Sequence, residues 1–313
     1  MKRFLIRIGI FFSIFIIIVI LLLILPYSPK INNEMFIEKT KDSLLENVIL
    51  PRIIFIGGSN IACGLNSQLI KDSLNINPIN TSINAGIGLK YMLESPIKSI
   101  REGDTIIVIP EYHQFYGDLA DGEIVLLPLL FEVSHKFNII DFNQYIKLSQ
   151  YIPKYIASKL KFWKDFETDE LAKKSINAFN KYGDEYDHWY MPKPASFEKY
   201  EINASLNNEA FNLLTAFKTK VENKKAHLYI SFPCYAESSF NKCLNQINII
   251  ENKFKGLKIE TIGSASRYKM NDSLIFDTEY HLTKKGVDLR TELFIEDFKK
   301  VRTHNQVDGF TSN

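Results

Sequence analysis

Three short stretches of this 313-residue chain hold residue types that can do nucleophilic and acid–base chemistry. The first is Gly57-Gly58-Ser59-Asn60, where two glycines let the backbone turn sharply and leave a serine hydroxyl and neighbouring N–H groups facing outward. Such a turn suits a nucleophile and the stabilisation of an oxyanion. The second, Asn84-Ala85-Gly86-Ile87-Gly88, again permits a close backbone approach. The third is Phe276-Asp277-Thr278-Glu279-Tyr280-His281-Leu282-Thr283. A histidine that takes a proton from a serine needs a carboxylate to fix its tautomer and stabilise the imidazolium, so this stretch supplies what Ser59 lacks. Taken singly, the first two read more readily as plain strand-to-helix turns, and Thr283 as a helix N-cap. That ordinary reading does not explain a histidine set among acids.

The elements that would position these residues alternate in type. Arg52–Ile56, Pro78–Ile83, Asp104–Ile109, His227–Phe232 and Leu257–Ile262 read as short strands, and helical spacing falls at Leu65–Leu74, Leu89–Ile100, Asn208–Glu222, Ser238–Phe254 and Lys284–Val301. Apolar strands separated by helices predict a parallel sheet covered on both faces. In open parallel sheets the working groups gather at the carboxyl ends of the strands. From 116 to 201 the rhythm breaks into aromatic-rich helical sequence, expected as an insertion, and its rings (Trp163, Tyr186, Trp189, Tyr190) suit either a sugar-stacking wall or the insertion's own core.

Charge divides the chain into two objects. The formal net charge is +2, but residues 1–30 contain Lys2, Arg3, Arg7 and Lys30 and no acid, which leaves 34 basic and 36 acidic residues in the rest. A body of mixed sign has no basic field for a phosphate backbone, so no nucleic-acid partner is expected. Ile8–Leu25 is a run of eighteen uncharged, almost wholly apolar residues without a small-x-small cleavage site, which predicts an uncleaved membrane anchor and a lipid-bilayer contact. The positive residues before it predict a cytoplasmic N-terminus and an extracytoplasmic body. The expected organisation is anchor 1–30, linker 31–51, domain 52–303 and tail 304–313. Cys63, Cys234 and Cys243 match no zinc spacing, although Cys234 and Cys243 can pair outside the cytoplasm. The glycine pattern of a dinucleotide site is absent, and Ile61 stands where a Gly-x-Ser-x-Gly elbow needs glycine. No cofactor or metal is expected.

Gly57-Gly58-Ser59-Asn60, the glycine after strand two, and Asp277…His281-Leu282-Thr283 followed by Gly286 resemble the first, second and fifth blocks of the SGNH (GDSL-like) hydrolase superfamily, and more closely its membrane-anchored bacterial members associated with polysaccharide modification. The resemblance spans about Arg52 to Glu292, and Asn180-Lys181-Tyr182-Gly183-Asp184 with His188 looks like a further family-type motif. It implies a flavodoxin-like three-layer α/β/α fold with a helical insertion. It also implies a Ser59 nucleophile, a His281 general base and an orienting acid at Asp277, with Glu279 as the alternative. Oxyanion donors would come from Ser59, Gly86, Gly88 and Asn60, and substrate contacts from Glu111, Tyr112, Gln114, Asp184 and His188. The implied activity is acyl transfer, as an O-acetyl esterase or O-acetyltransferase on a cell-surface polysaccharide, with a membrane-bound acyl-transfer partner if the reaction is transfer.

Three departures from the family pattern stand out. Gly58 replaces the usual Asp before the serine, Thr278 sits where the acid is expected three residues before the histidine, and the Gly-x-Asn-Asp block is replaced by Pro110-Glu111-Tyr112-His113-Gln114. An acid four residues before the histidine reaches it only if the loop bulges. Asn60, Gln114 or a backbone N–H must then stand in for the missing oxyanion asparagine. These departures also admit a catalytically inactive, glycan-binding or scaffolding member.

Overall fold

The computed structural model describes residues 1–26, 34–160 and 176–310, with side chains to residue 303. Its centre is a parallel sheet of five strands: β1 Arg52–Gly57, β2 Asn77–Asn80, β3 Thr105–Ile109, β4 His227–Ser231 and β6 Glu260–Ile262, in the order β2-β1-β3-β4-β6. A separate ribbon pairs β5 Tyr235–Ala236 with β7 Lys269–Met270. β1 is buried along its whole length and β3 from its second residue on. The continuous Ile/Phe runs are thus covered from both sides, as a parallel sheet requires. Each such side chain contributes about 1.5–3 kcal/mol on burial, so the middle of the sheet is the most strongly held part of the scaffold.

Helices α1 Lys2–Ile24, α2 Glu38–Asn47, α3 Ser59–Ala62, α4 Ser67–Leu74, α5 Leu89–Glu94, α6 Phe142–Ser149, α7 Ile152–Lys159, α8 Asn208–Asn223, α9 Leu244–Gly256 and α10 Lys284–Phe310 complete the frame. Phe55 of β1 meets Phe294 of α10 edge to face at 5.3 Å. Several elements are shorter than the sequence pattern predicts. The helix expected to run to Ile100 stops at Glu94, because Pro96 cannot donate a helical hydrogen bond, and only a 3₁₀ turn Ile97–Ser99 follows. The helix expected at Ser238–Phe254 splits at Cys243, and β2 ends at Asn80, whose N–H is taken by the Tyr182 carbonyl (2.9 Å) of the insertion. The final helix runs on to Phe310.

Two segments join the body more closely than their composition suggests. Residues 34–47, inside the expected linker, form a 3₁₀ turn and α2, and both pack on the core through Met35, Ile37 and Leu45. Buried Arg52 donates to the Leu45 carbonyl (2.5 Å) and to Asp104 (Nε–Oδ1 2.7 Å), so the same guanidinium holds α2 and the start of the sheet. The helix α1 is long and apolar enough to cross a membrane. At its end Leu23 is buried, and the carbonyls of Leu23 and Leu25 each accept from Lys159 Nζ at 2.6 Å. A lysine at the last carbonyls is a favourable helix stop, here supplied by the insertion. Trp163 lies outside the described residues. The three cysteines are buried and none is in a disulfide, so Cys234 and Cys243 are not joined.

Candidate functional site

The chain moves from β1 out to β2 and then back across β1 to β3, so the order reverses between β1 and β3. The crevice at that reversal is where open α/β sheets bind ligands. Gly57 pairs in register with Ile109. The residues two positions beyond, Ser59 and Glu111, are therefore brought together above the sheet. Ser59 Oγ donates to Glu111 Oε1 at 3.2 Å, and the Asn60 N–H donates to the same oxygen at 3.0 Å. Glycine at 58 is what permits this approach. A Cβ there would lie 2.7 Å from Glu111 Oε1 and 2.9 Å from the Ala85 Cα.

Most of the expected oxyanion donors are engaged in holding the 57–60 and 84–88 turns. Asn60 is buried, with its Oδ1 accepting from the Gly58 N–H (3.0 Å) and its Nδ2 donating to the Ile109 carbonyl (3.1 Å). Gln114, also buried, accepts from the Glu111 N–H (3.1 Å) and donates to the Ala85 carbonyl (3.4 Å), which orients the Glu111 backbone. The Gly86 N–H goes to Asn84 Oδ1 (2.9 Å) and the Gly88 N–H to the Ala85 carbonyl (3.0 Å). Tyr112, expected to touch substrate, is buried edge-on against Tyr235 at 5.3 Å.

The histidine loop is closed by backbone pairing. The Phe276 N–H donates to the His281 carbonyl (2.8 Å), the His281 N–H to the Thr278 carbonyl (3.1 Å), and Ile275 bridges Leu282. Curled in this way, the loop brings an acid four residues back onto the ring, and Asp277 Oδ1 lies 2.7 Å from His281 Nδ1. The end of the insertion latches the loop: the Glu198 N–H donates to the Asp277 carbonyl (2.8 Å) and the Glu279 N–H to the Glu198 carbonyl (3.1 Å).

Glu279 turns elsewhere. Its Oε1 accepts from the Tyr200 N–H (3.2 Å) and stands 3.7 Å from His113 Nε2. Burial lowers the His113 pKa to about 4 and raises that of Glu279. The imidazole is therefore neutral at physiological pH, and the 3.7 Å approach is not an ion pair. His113 Nδ1 instead meets the Tyr280 hydroxyl at 2.8 Å.

Asp277 and His281 line a cavity of about 160 Å³ together with Phe276, Cys63, Glu185 and His188. The Cys63 N–H donates to the Ser59 carbonyl (2.9 Å), which puts this cavity one helical turn from the serine. Asp277 remains two-fifths exposed while the His281 side chain is nine-tenths covered. The acid is wet and the imidazole sheltered.

Asp184, expected at the substrate, lies instead at the centre of a closed knot. It is wholly buried and accepts from the Ser67 N–H (2.9 Å) and Oγ (2.7 Å), Asn80 Nδ2 (2.9 Å) and Asn180 Nδ2 (3.1 Å). Gly183, at φ +92°, lets the loop pass so near the sheet that a Cβ would lie 2.3 Å from the Asn80 carbonyl oxygen. The 180–184 motif is thus a clip that fastens the insertion to β2 and the start of α4. His188 reaches the cavity, its ring 5.5 Å from that of Phe276. Of the insertion's rings, Trp189 is packed beneath the Lys284 ammonium (4.7 Å) and against Tyr186 (6.2 Å), whereas Tyr190 is exposed.

Sequence reasoning did not pair Glu111 with Ser59, nor join Cys63 to Glu185 and His188. The equal offset of Ser59 and Glu111 beyond the ends of adjacent strands was the available signal for the first. The second depends on the path of the insertion, which has no sequence period. No protein-family model matches the chain, and no curated protein matches it either.

Proposed function

We propose that the chain is a membrane-anchored acyl-transfer enzyme of the SGNH type, an O-acetyl esterase or O-acetyltransferase acting on a cell-envelope polysaccharide. The observation that carries this reading is the 2.7 Å contact of Asp277 with His281 Nδ1, in a cavity one turn from a serine that follows the first strand of a parallel sheet. Strand order and the placement of polar loops at the strand ends accord with a flavodoxin-like arrangement. In this reading Ser59 Oγ attacks the acyl carbonyl and passes its proton to His281 Nε2, while Asp277 holds the Nδ1 proton. The imidazolium then returns the Nε2 proton to the departing oxygen. Water or a sugar hydroxyl, deprotonated by the same imidazole, releases the acyl group from Ser59. The charges ahead of α1 favour an extracytoplasmic body, where envelope glycans are the available acceptors and a membrane-bound partner would supply the acyl group for transfer.

One observation favours a second reading, an inactive glycan-binding or scaffolding member: the Ser59 hydroxyl is bonded to a carboxylate. The Glu111 carboxyl beside the Asn60 N–H occupies the region where negative charge would develop, and its oxygen takes the N–H that would otherwise stabilise that charge. A serine-directed fluorophosphonate separates the two. Labelling of the full-length protein in detergent that disappears in Ser59→Ala supports acyl transfer, whereas a folded wild type that takes no label and hydrolyses no p-nitrophenyl acetate supports the second reading.

A further inference from the structure

We infer that Cys63, Glu185 and His188 form a binding site for a zinc-class divalent cation, a site that does not depend on the acyl-transfer reading. One donor atom from each residue lies within 4.8 Å of the other two. All three residues are buried, at 2%, 3% and 6% exposure. Cys63 Sγ already donates to Glu185 Oε2 at 3.3 Å, so thiol and carboxylate face one another. Metal binding replaces that bridging proton, which leaves to solvent as the thiol becomes a thiolate.

The backbone holds these donors from three directions. Cys63 follows α3 at the end of β1. Glu185 is fixed by its N–H on the Ala62 carbonyl (2.8 Å) and by the bridge to Phe179. His188 stands in the 3₁₀ turn Asp187–Tyr190, its ring against Phe276. Such fixed donors need little reorganisation to converge.

The donor set selects the metal class. One sulfur, one imidazole nitrogen and one carboxylate oxygen suit zinc, and suit magnesium or calcium poorly, since those ions take oxygen ligands. Three protein ligands leave a fourth tetrahedral position open, and the cavity of about 160 Å³ that these residues share with Asp277 and His281 has room for a water or another small oxygen ligand there. A cation at this point would pin the insertion to the turn that carries Ser59, because Cys63 lies one turn beyond the serine. The spacing 63–185–188 hides such a site from sequence inspection.

The test uses full-length protein in detergent, stripped with chelator and then equilibrated with Zn²⁺ or Co²⁺ alone. The wild type is expected to retain one equivalent of Zn²⁺ through gel filtration and, with Co²⁺, to show a thiolate-to-cobalt charge-transfer band in the near ultraviolet together with tetrahedral d–d bands. Cys63→Ser and His188→Ala are expected to bind at least about 100-fold more weakly, since even loss of an outer-shell partner costs 10–100-fold. Cys234→Ser, which removes another buried thiol, is expected to bind as the wild type does. Sub-stoichiometric zinc in a folded wild type, a cobalt spectrum without the thiolate band, or full binding by Cys63→Ser would each overturn the assignment. The cobalt spectrum requires no variant, so misfolding of a mutant does not shelter the proposal. Ser59→Ala is expected to bind zinc as the wild type does whether or not the serine is a nucleophile, so this outcome is separable from the fate of the acyl-transfer reading.

Discussion

Asp277 lines the cavity that adjoins the Ser59 turn and Asp184 precedes the cavity-lining Glu185, yet the two loop aspartates sit in opposite settings. Asp184 has no exposed surface and collects hydrogen bonds from Ser67, Asn80 and Asn180. Asp277 keeps two-fifths of its side chain in solvent and places one oxygen 2.7 Å from an imidazole that lines a cavity. The first accepts from four donors whose positions the fold fixes, so any movement leaves buried polar atoms unpaired. The second places one carboxylate oxygen on a group that can carry a proton. A closed set of partners is what a structural acid needs; under the acyl-transfer proposal, the acid joined to a titratable ring at the edge of a cavity is the one with a chemical role.

That contrast breaks first on Asp277→Asn. If Asp277 orients His281, the amide leaves the loop closed and presents the wrong hydrogen-bonding partner to Nδ1, and the rate of acetyl-ester hydrolysis should fall by about 10⁴-fold with the thermal midpoint nearly unchanged. A rate within a few-fold of wild type would remove Asp277 from the chemistry. Asp184→Ala should behave in the opposite way. It strands the Ser67, Asn80 and Asn180 donors in the interior and should lower unfolding stability by about 3–5 kcal/mol, measured by denaturant titration. The fraction that remains folded should turn over at close to the wild-type rate. Equal stability in Asp184→Ala would show that the knot is no clip.

Glu111 lies between these extremes, buried yet in contact with the serine. Its carboxyl should slow acyl transfer by taking the Asn60 N–H from the oxyanion, so Glu111→Gln, which keeps the shape and adds an N–H donor, should raise the hydrolysis rate by about tenfold. A fall of the same size would instead make the carboxylate a partner in activating Ser59, and the comparison would then have two chemical acids.

How far the sequence could foresee this contrast differs by level. Strands β1 and β3 were legible because a covered parallel strand must be continuously apolar, and residues 53–56 and 106–109 are. α2 was not, because its buried surface is made by charged residues such as Lys41 and Glu38 whose partners, Gly183 and Tyr91, are far away in sequence. At the candidate site, Ser59 and His281 stood out by residue type, whereas spacing left Asp277 and Glu279 both open as the partner acid, and only the curl of the loop brings Asp277 to the ring. Roles assigned by loop position were less secure: Gln114 and Tyr112 follow a strand end, as substrate ligands often do, but the chain turns inward there and uses them as packing and caps. Asp184 misled for a similar reason, since a polar motif on an insertion gives no sign of whether it faces solvent or the sheet.

The smallest effect tests the closed region through pH. Lys41 is buried, with its Nζ on the Gly183 carbonyl at 2.9 Å and also bonded to the Ser82 carbonyl, and burial lowers its pKa from 10.5 to about 7 against the pull of Asp184, Glu185, Cys63 and Glu34. Between those two values the unfolded chain holds a proton that the folded chain has lost. Folding stability therefore rises with pH across that window, and this gain is absent below about pH 7, where both forms are protonated. The slope from one such group is at most about 1.4 kcal/mol per pH unit. Denaturant midpoints at pH 7 and pH 9 should separate by more in the wild type than in Lys41→Met, which has no proton to lose. If the variant keeps the full slope, the proton comes from elsewhere and the knot around Gly183 and Asp184 carries Lys41 as an ordinary ammonium.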